Sequence, residues 1–265
     1  MGYLYAAFGA VFLTAIVTAG EYVAPVERYS LKSRIRGFMF TAINAAAGLL
    51  FLSLLIGLWE KLGIRPLLKL PVSGWTGDLI SVLLLVLIND FVTYWNHRFQ
   101  HRFLWAIHSV HHSQTELHAA NEYAHFTERG FRFLVFGIPL SLIGFEFAAA
   151  PYVITVVSGV LERYIHSPTT AHFGRLRYIL VDNRFHRIHH SLEPQHFEKN
   201  FGILFSFWDR IFGTAWEPCA GEWPATGVAG LPPPNSIADY LLFPLRFVPR
   251  RVTSRRTWIT PTSSE

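Results

Sequence analysis

The chain has 265 residues, 51% of them hydrophobic and only 15% charged, with a mean hydropathy of +0.28. That balance excludes a disordered chain and is too apolar for an ordinary soluble domain, so it points to a membrane protein. The formal charge of +5 comes from scattered residues without a nucleic-acid motif, which makes anionic lipid, not nucleic acid, the expected counter-surface; the single cysteine, Cys219, excludes an intrachain disulfide.

Two uncharged apolar runs come first, Tyr3 to Gly20 (18 residues) and Phe38 to Trp59 (22 residues). Each is long enough to cross a hydrocarbon layer of about 30 Å at about 1.5 Å per residue, which predicts two transmembrane helices. The first lacks a basic leading segment, and Met-Gly-Tyr-Leu-Tyr-Ala lacks a myristoylation Ser or Thr, so it is expected to stay in the mature protein. A third span, Leu79 to Trp95, is interrupted only by Asn89 and Asp90. A fourth stretch, Phe133 to Leu161, is broken by Gly144, Glu146 and Pro151, which predicts a helical hairpin. Parity agrees: a single crossing there would put the histidines before residue 126 and those after residue 165 on opposite faces.

The loop after the first span carries Arg28, Lys32, Arg34 and Arg36, against Lys61, Arg65 and Lys69 after the second. Two crossings separate the first loop from His97, and Arg98, Arg102, Arg129 and Arg132 add positive charge on that side, so the histidines are expected on the cytoplasmic face. From Glu217 onward the chain is rich in Pro and Gly and ends with Arg250-Arg251 and Arg255-Arg256, which reads as a surface arm at the lipid headgroups. The expected organisation is transmembrane helices and loops over 1–77, a catalytic segment over 78–216 and a cytoplasmic tail over 217–265.

All 13 histidines fall between His97 and His196. His97 and His101 are four residues apart, so on a helix extending the third span both rings project from one face. The spacing of His108, His111 and His112 recurs in His186, His189 and His190. These eight imidazoles exceed the four ligands of one zinc centre, which points to two metal ions. His118, His172 and His196 lie outside the repeated spacing and read as ordinary hydrogen-bonded side chains. Imidazole alone does not choose among iron, zinc, copper and nickel. The setting favours iron: a membrane-surface site implies a hydrocarbon substrate, and unactivated C–H bonds need an oxidant made from dioxygen at a redox metal.

The ordered series Asp90 with Tyr94-Trp95, HRFQH, LWAIHSVHHS, His125-Phe-Thr-Glu128, the isolated His166, HRIHHS, KNFG (199–202) and WDRIFGT (208–214) resembles the membrane-bound fatty acid hydroxylase and sterol desaturase superfamily over residues 78 to 216. The resemblance implies a non-haem di-iron, oxygen-dependent enzyme. It adds His125 and His166 to the ligands, making ten: His97, His101, His108, His111, His112, His125, His166, His186, His189 and His190. The sequence departs from the family pattern at Phe126, where a Pro often stands, and at Asp182-Asn183, in place of a frequent Thr-Pro.

Asp90 lies seven residues before His97 and eleven before His101, on the same helix face, where its carboxylate is expected to orient a ligand histidine; Glu128, three residues after His125, is a weaker candidate for the same role. Trp59, Trp75 and Trp95 read as interfacial anchors. Without a nucleotide fingerprint or an attached redox domain, electrons are expected from a separate redox partner. The combined expectation is an all-α integral membrane oxidoreductase with a cytoplasmic di-metal cap. It uses two iron ions and dioxygen to hydroxylate or desaturate a lipid such as a sterol or fatty acyl chain. The competing readings are a zinc-dependent membrane hydrolase and a non-enzymatic metal transporter or sensor.

Overall fold

The computed structural model describes residues 2–65, 67–69, 74–144 and 150–246. Three helices open the chain: α1 (Gly2–Val23), α2 (Leu31–Leu62) and α3 (Gly74–Phe103). By length and composition α2 and α3 can each cross a membrane, while the apolar part of α1 among the described residues, Val11–Val23, is shorter. Local chemistry sets the limits of α2. Ser30 caps its start, the hydroxyl accepting the Ser33 N–H at 3.2 Å. Gly63 ends it in the left-handed region (φ 62°), so that its N–H and that of Ile64 turn back to Glu60 and Trp59 carbonyls. Leu50, Leu54 and Leu58 on α2 and Leu83, Leu84 and Ile88 on α3 are exposed, as lipid-facing side chains must be, and Trp75 at the foot of α3 is 79% exposed.

The expected hairpin is present as helical arms. One runs down through α5 (Phe126–Arg132), a π-helical turn (Phe133–Gly137) and α6 (Ile138–Ser141), and the other returns as α7 (Ala150–Ile165). Near the tip, Ile143–Gly144 (β2) pairs in parallel with Leu68–Lys69 (β1), Leu68 opposite Ile143. This two-residue ladder joins the hairpin tip to the connection between α2 and α3, and Trp59 adds a hydrogen bond from Nε1 to Ser141 Oγ at 2.9 Å. The arms therefore return the chain to the end where α3 finishes. Glu146 lies outside the described residues.

Short helices form the cap: α4 (Trp105–His112), α8 (Asn183–His189), α9 (Phe207–Ile211) and α10 (Ile237–Leu242). The Asp182-Asn183 pair makes structural sense here. Asp182 caps α8 by accepting the Phe185 N–H at 2.9 Å, and Asn183 donates to the Ser167 and Thr169 carbonyls at 2.9 and 2.7 Å, tying α8 to the end of α7.

The tail departs from expectation. Leu231, Tyr240 and Phe243 are buried in one cluster with Phe40, Val110 and Tyr123, so the segment read as a surface arm is anchored in the core at these three residues. The Tyr240 ring stacks on Phe40 with centroids 4.6 Å apart, and its hydroxyl donates to the Ala124 carbonyl while accepting from Asn44, both at 2.8 Å. Composition misled because Pro and Gly govern the average, whereas Tyr240 and Phe243, three residues apart, share one inward face. The outer face keeps Ile237, Leu241, Leu242 and Leu245 exposed, and the two arginine pairs lie outside the described residues.

Candidate metal centre

Nine of the histidines gather into two groups. His97, His101, His108, His112 and His189 form the first, and His111, His166, His186 and His190 the second, with one ring nitrogen from each residue within 4.8 Å of the others in its group. Helix geometry explains the division. At about 100° per residue, the first and last members of each triplet sit about 40° apart, while the middle member points about 60° to the other side. Each triplet thus keeps its i,i+4 pair in one group and lends its middle histidine to the other: His111 crosses from α4 to the second group, His189 from α8 to the first.

The ring nitrogens are arranged for a cation. Nε2 atoms face one another at 3.1 Å between His97 and His108, His101 and His112, His166 and His186, and His186 and His190, and at 3.2 Å between His111 and His166. Meanwhile Nδ1 of His97 donates to the Phe201 carbonyl (2.9 Å), Nδ1 of His189 to the Lys199 carbonyl (2.8 Å) and Nδ1 of His166 to the Glu162 carbonyl. His108 Nδ1 meets the Glu128 carboxylate at 3.2 Å. A neutral imidazole has one N–H, so where Nδ1 donates, Nε2 is a bare lone pair. Buried lone pairs facing each other are repulsive until a cation lies between them, and His189 Nε2 has no hydrogen-bond partner at all. The donor set fits two metal ions.

Electrostatics keep these rings neutral. Burial first, and neighbouring imidazoles after it, hold His111, His112, His186 and His190 well below the ordinary histidine value. Burial lowers His166 to about 4 and His189 to about 3, although backbone acceptors partly oppose it.

Other expected residues lie elsewhere. His125 is outside both groups, with Nδ1 against Thr127 Oγ1 at 2.7 Å and Nε2 against the Leu241 carbonyl at 3.3 Å. Asp90 hydrogen-bonds to no histidine: its carboxylate accepts the Leu204 and Phe205 N–H groups at 2.9 Å and the Trp208 Nε1–H at 3.1 Å, fastening α3 to α9 and to the segment before it. Glu128 does reach a grouped histidine, His108. His118 bonds Ser33, His196 bonds Ser191, and His172 is exposed, so none of the three joins a group.

Sequence reasoning missed the loop over the first group. The carbonyls of Lys199 and Phe201 orient His189 and His97, and the Glu198 carboxylate, 67% exposed, approaches His101 Nδ1 at 3.5 Å. Glu198 and Asn200 hold this path with φ near +59° and +57°. Asn200 fastens it by donating to the Phe185 and Trp216 carbonyls and accepting the Trp216 N–H. Asp209 accepts the Phe201 and Gly202 N–H groups, both at 2.8 Å, and the Thr214 hydroxyl at 2.6 Å. Thr214 in turn meets the Tyr94 hydroxyl of α3 at 2.7 Å. The KNFG and WDRIFGT segments carried this information, with Asn200 of a side-chain type enriched in the left-handed backbone region.

Comparison with known proteins agrees with this geometry. The chain is 31% identical to alkylglycerol monooxygenase of Danio rerio over 62% of its own length and 35% of that protein's. It is 30% identical to methylsterol monooxygenase 2-2 of Arabidopsis thaliana over 59% of each chain. It is also 31% identical to a very-long-chain aldehyde decarbonylase of Oryza sativa subsp. japonica, over 58% of this chain and 52% of the relative. The matched stretch thus spans about a third to three-fifths of these relatives. No solved structure matches the chain. The fatty acid hydroxylase family model matches residues 82–214, half of the chain and the stretch that supplies all nine grouped histidines and the loop that orients them, so the chain belongs to the fatty acid hydroxylase family.

Proposed function

We propose that the protein is an oxygen-dependent, non-haem di-iron oxidoreductase of the membrane that hydroxylates, or desaturates, an unactivated C–H site of a lipid. The observation that carries the reading is the pair of buried all-imidazole groups at the end of long apolar helices. His97, His101, His108, His112 and His189 would hold one iron, and His111, His166, His186 and His190 the other. His125 leaves the set because its ring is engaged by Thr127 and Leu241. When bound, the two irons supply the electrons that activate dioxygen for attack on carbon.

The chain's own residues do the rest. Backbone carbonyls and Glu128 hold the N–H at Nδ1 and turn Nε2 inward, and burial keeps the rings neutral and excludes water. The catalytic segment is 78–216, with 1–77 as its membrane flank and 217–265 as a cytoplasmic tail, of which Leu231, Tyr240 and Phe243 buttress the core. The protein is multi-pass with its histidines on the cytoplasmic face, the substrate enters laterally from the bilayer, and a separate redox partner supplies electrons. The relatives' names, alkylglycerol and methylsterol monooxygenase, describe oxidation of lipids and support that substrate class.

The test is iron per chain in detergent after reconstitution, for the wild type and a His189→Ala, His190→Ala double variant, which removes one ligand from each group. Two irons lost in the variant, with oxygen- and reductant-dependent turnover of an alkylglycerol or a methylsterol, is the expected result. A wild type that binds no iron refutes the reading.

A further inference from the structure

Between Ile237 and Arg246 the chain turns one apolar face inward and another outward. At about 100° per residue, Ile237, Ala238, Leu241 and Leu242 of α10 fill the arc opposite Tyr240, and Leu245 in the 3-10 turn that follows (Phe243–Arg246) extends it. Ile237, Leu241, Leu242 and Leu245 are 50, 43, 57 and 74% exposed, whereas Tyr240 and Phe243 are fully buried. An exposed apolar patch of this kind marks an interaction surface. A groove of about 590 Å³ opens on it, lined by the apolar Ala238, Leu242 and Leu245 and by the Asp239–Arg246 ion pair.

The inner contacts fix the level of this patch. Tyr240 stacks on Phe40 and bonds Asn44, and Met39 and Ile43 pack against the same cluster. All four are residues of α2 in the first turns of its apolar run, which begins at Phe38. At about 1.5 Å per residue, Phe40 lies ~3 Å and Asn44 ~9 Å inside the edge of that run. Helices lying in a membrane interface bury their apolar side about 5–10 Å into the boundary between headgroups and acyl chains, which is the same depth. Farther along α2, Leu50, Leu54 and Leu58 are exposed, so α10 flanks the end of a helix whose remaining length is open to lipid. Charge agrees with this setting: the sequence continues with Arg250, Arg251, Arg255 and Arg256 and has no acidic residue before Glu265, and such basic segments attract anionic headgroups.

We propose that α10 and the turn after it form a docking surface for the bilayer leaflet on the histidine side, with acyl chains against Leu241, Leu242 and Leu245 and anionic headgroups against the arginines that follow. A second protein is a poorer occupant, because four exposed side chains offer less than the roughly 800 Å² that a stable interface takes from each partner. The docked segment also backs the metal-binding cap: its inner residues Tyr240 and Phe243 cluster with Val110 of α4, which stands between His108 and His111. The inference rests on the membrane reading above and not on iron, and it is tested on the metal-free chain.

Leu241→Cys and Leu245→Cys are made separately in a Cys219→Ser background, spin-labelled, and placed as the full chain in nanodiscs of equal parts phosphatidylcholine and phosphatidylserine. Collisions of each label with oxygen, which concentrates among acyl chains, are compared with collisions with a polar nickel chelate, which stays in water. Gln195→Cys, exposed on the cap, is the aqueous control. The oxygen-to-nickel ratio is expected to be several-fold higher at both leucine positions than at the control. It should fall in nanodiscs of phosphatidylcholine alone, and in the mixed nanodiscs when the four arginines are replaced by glutamine. A ratio equal to the control at both positions means that the arc faces water and overturns the inference. Protection from both reagents means that protein covers the arc, and overturns it too. A ratio indifferent to phosphatidylserine refutes the part given to the arginines. Iron per chain is measured on separate samples, so failure of the di-iron reading and failure of this docking surface are distinguishable.

Discussion

Replacing Asp209 with Ala tests the idea that the loop over the first histidine group is held by one buried carboxylate. Asp209 is fully buried and accepts the Phe201 and Gly202 N–H groups and the Thr214 hydroxyl. Alanine leaves two buried backbone N–H groups without an acceptor, at about 1–3 kcal/mol each, so the loss is about 4 kcal/mol. The Thr214 hydroxyl retains Tyr94 and adds little. At roughly 2–4 °C per kcal/mol, the melting temperature falls by about 10 °C. Asparagine keeps one acceptor oxygen and should lose about half as much. Because the same loop turns His97 and His189, iron affinity should also weaken, by about 10–100-fold. The assay pairs a thermal melt of the detergent-solubilised chain with iron retention against a graded chelator. An Asp209→Ala protein that melts within about 2 °C of the wild type and keeps its iron refutes the reasoning.

Glu128→Gln should weaken iron retention less than Glu128→Ala, since the amide oxygen still accepts from His108 Nδ1, and the Ala variant should lose about 10–100-fold; equal retention in all three proteins would show that Glu128 does not fix that ring. Metal-free protein should lose stability as pH falls below about 6.5, because the unfolded chain takes up protons that His111, His112, His186 and His190 refuse while folded. Each such group contributes about 1.4 kcal/mol of loss by pH 5.5, with full stability above the unfolded value, and a melting temperature flat between pH 8 and 5.5 would contradict it. Tyr240→Ala should cost about 3–5 kcal/mol through the emptied core and the lost hydrogen bonds, read as a melting shift; a silent substitution would return the tail to the surface.

Patterns confined to one helix were legible in the sequence: the long apolar runs, the paired and tripled histidines, and the break that turns the hairpin. The split of each triplet between two groups is compatible with the 40° and 60° offsets of a helix, but the spacing alone left the division open, and the structure is what divides them. What escaped notice depends on contacts between distant segments. Asp90 has the right offset for a histidine, yet its carboxylate meets Leu204 and Phe205, more than a hundred residues away. His125 has an accepted family spacing, but α10 approaches from the far end of the chain and takes its Nε2. Asn200 and Asp209 have no periodicity to reveal them, because they act on the backbone.

The loop of carbonyls has a consequence for variation. Every amino acid brings a carbonyl, so exchanging Lys199 or Phe201 for another residue leaves the oxygen that orients His189 or His97 in the chain. A scan of side chains would pass over Lys199 as dispensable although it holds a ring of the centre. The information resides in the route of the main chain, and it is exposed to mutation only at the residues that shape the route: Glu198 and Asn200 with their left-handed backbones, and Asp209 beneath. Drift at Lys199 is cheap, while drift one position to either side is not.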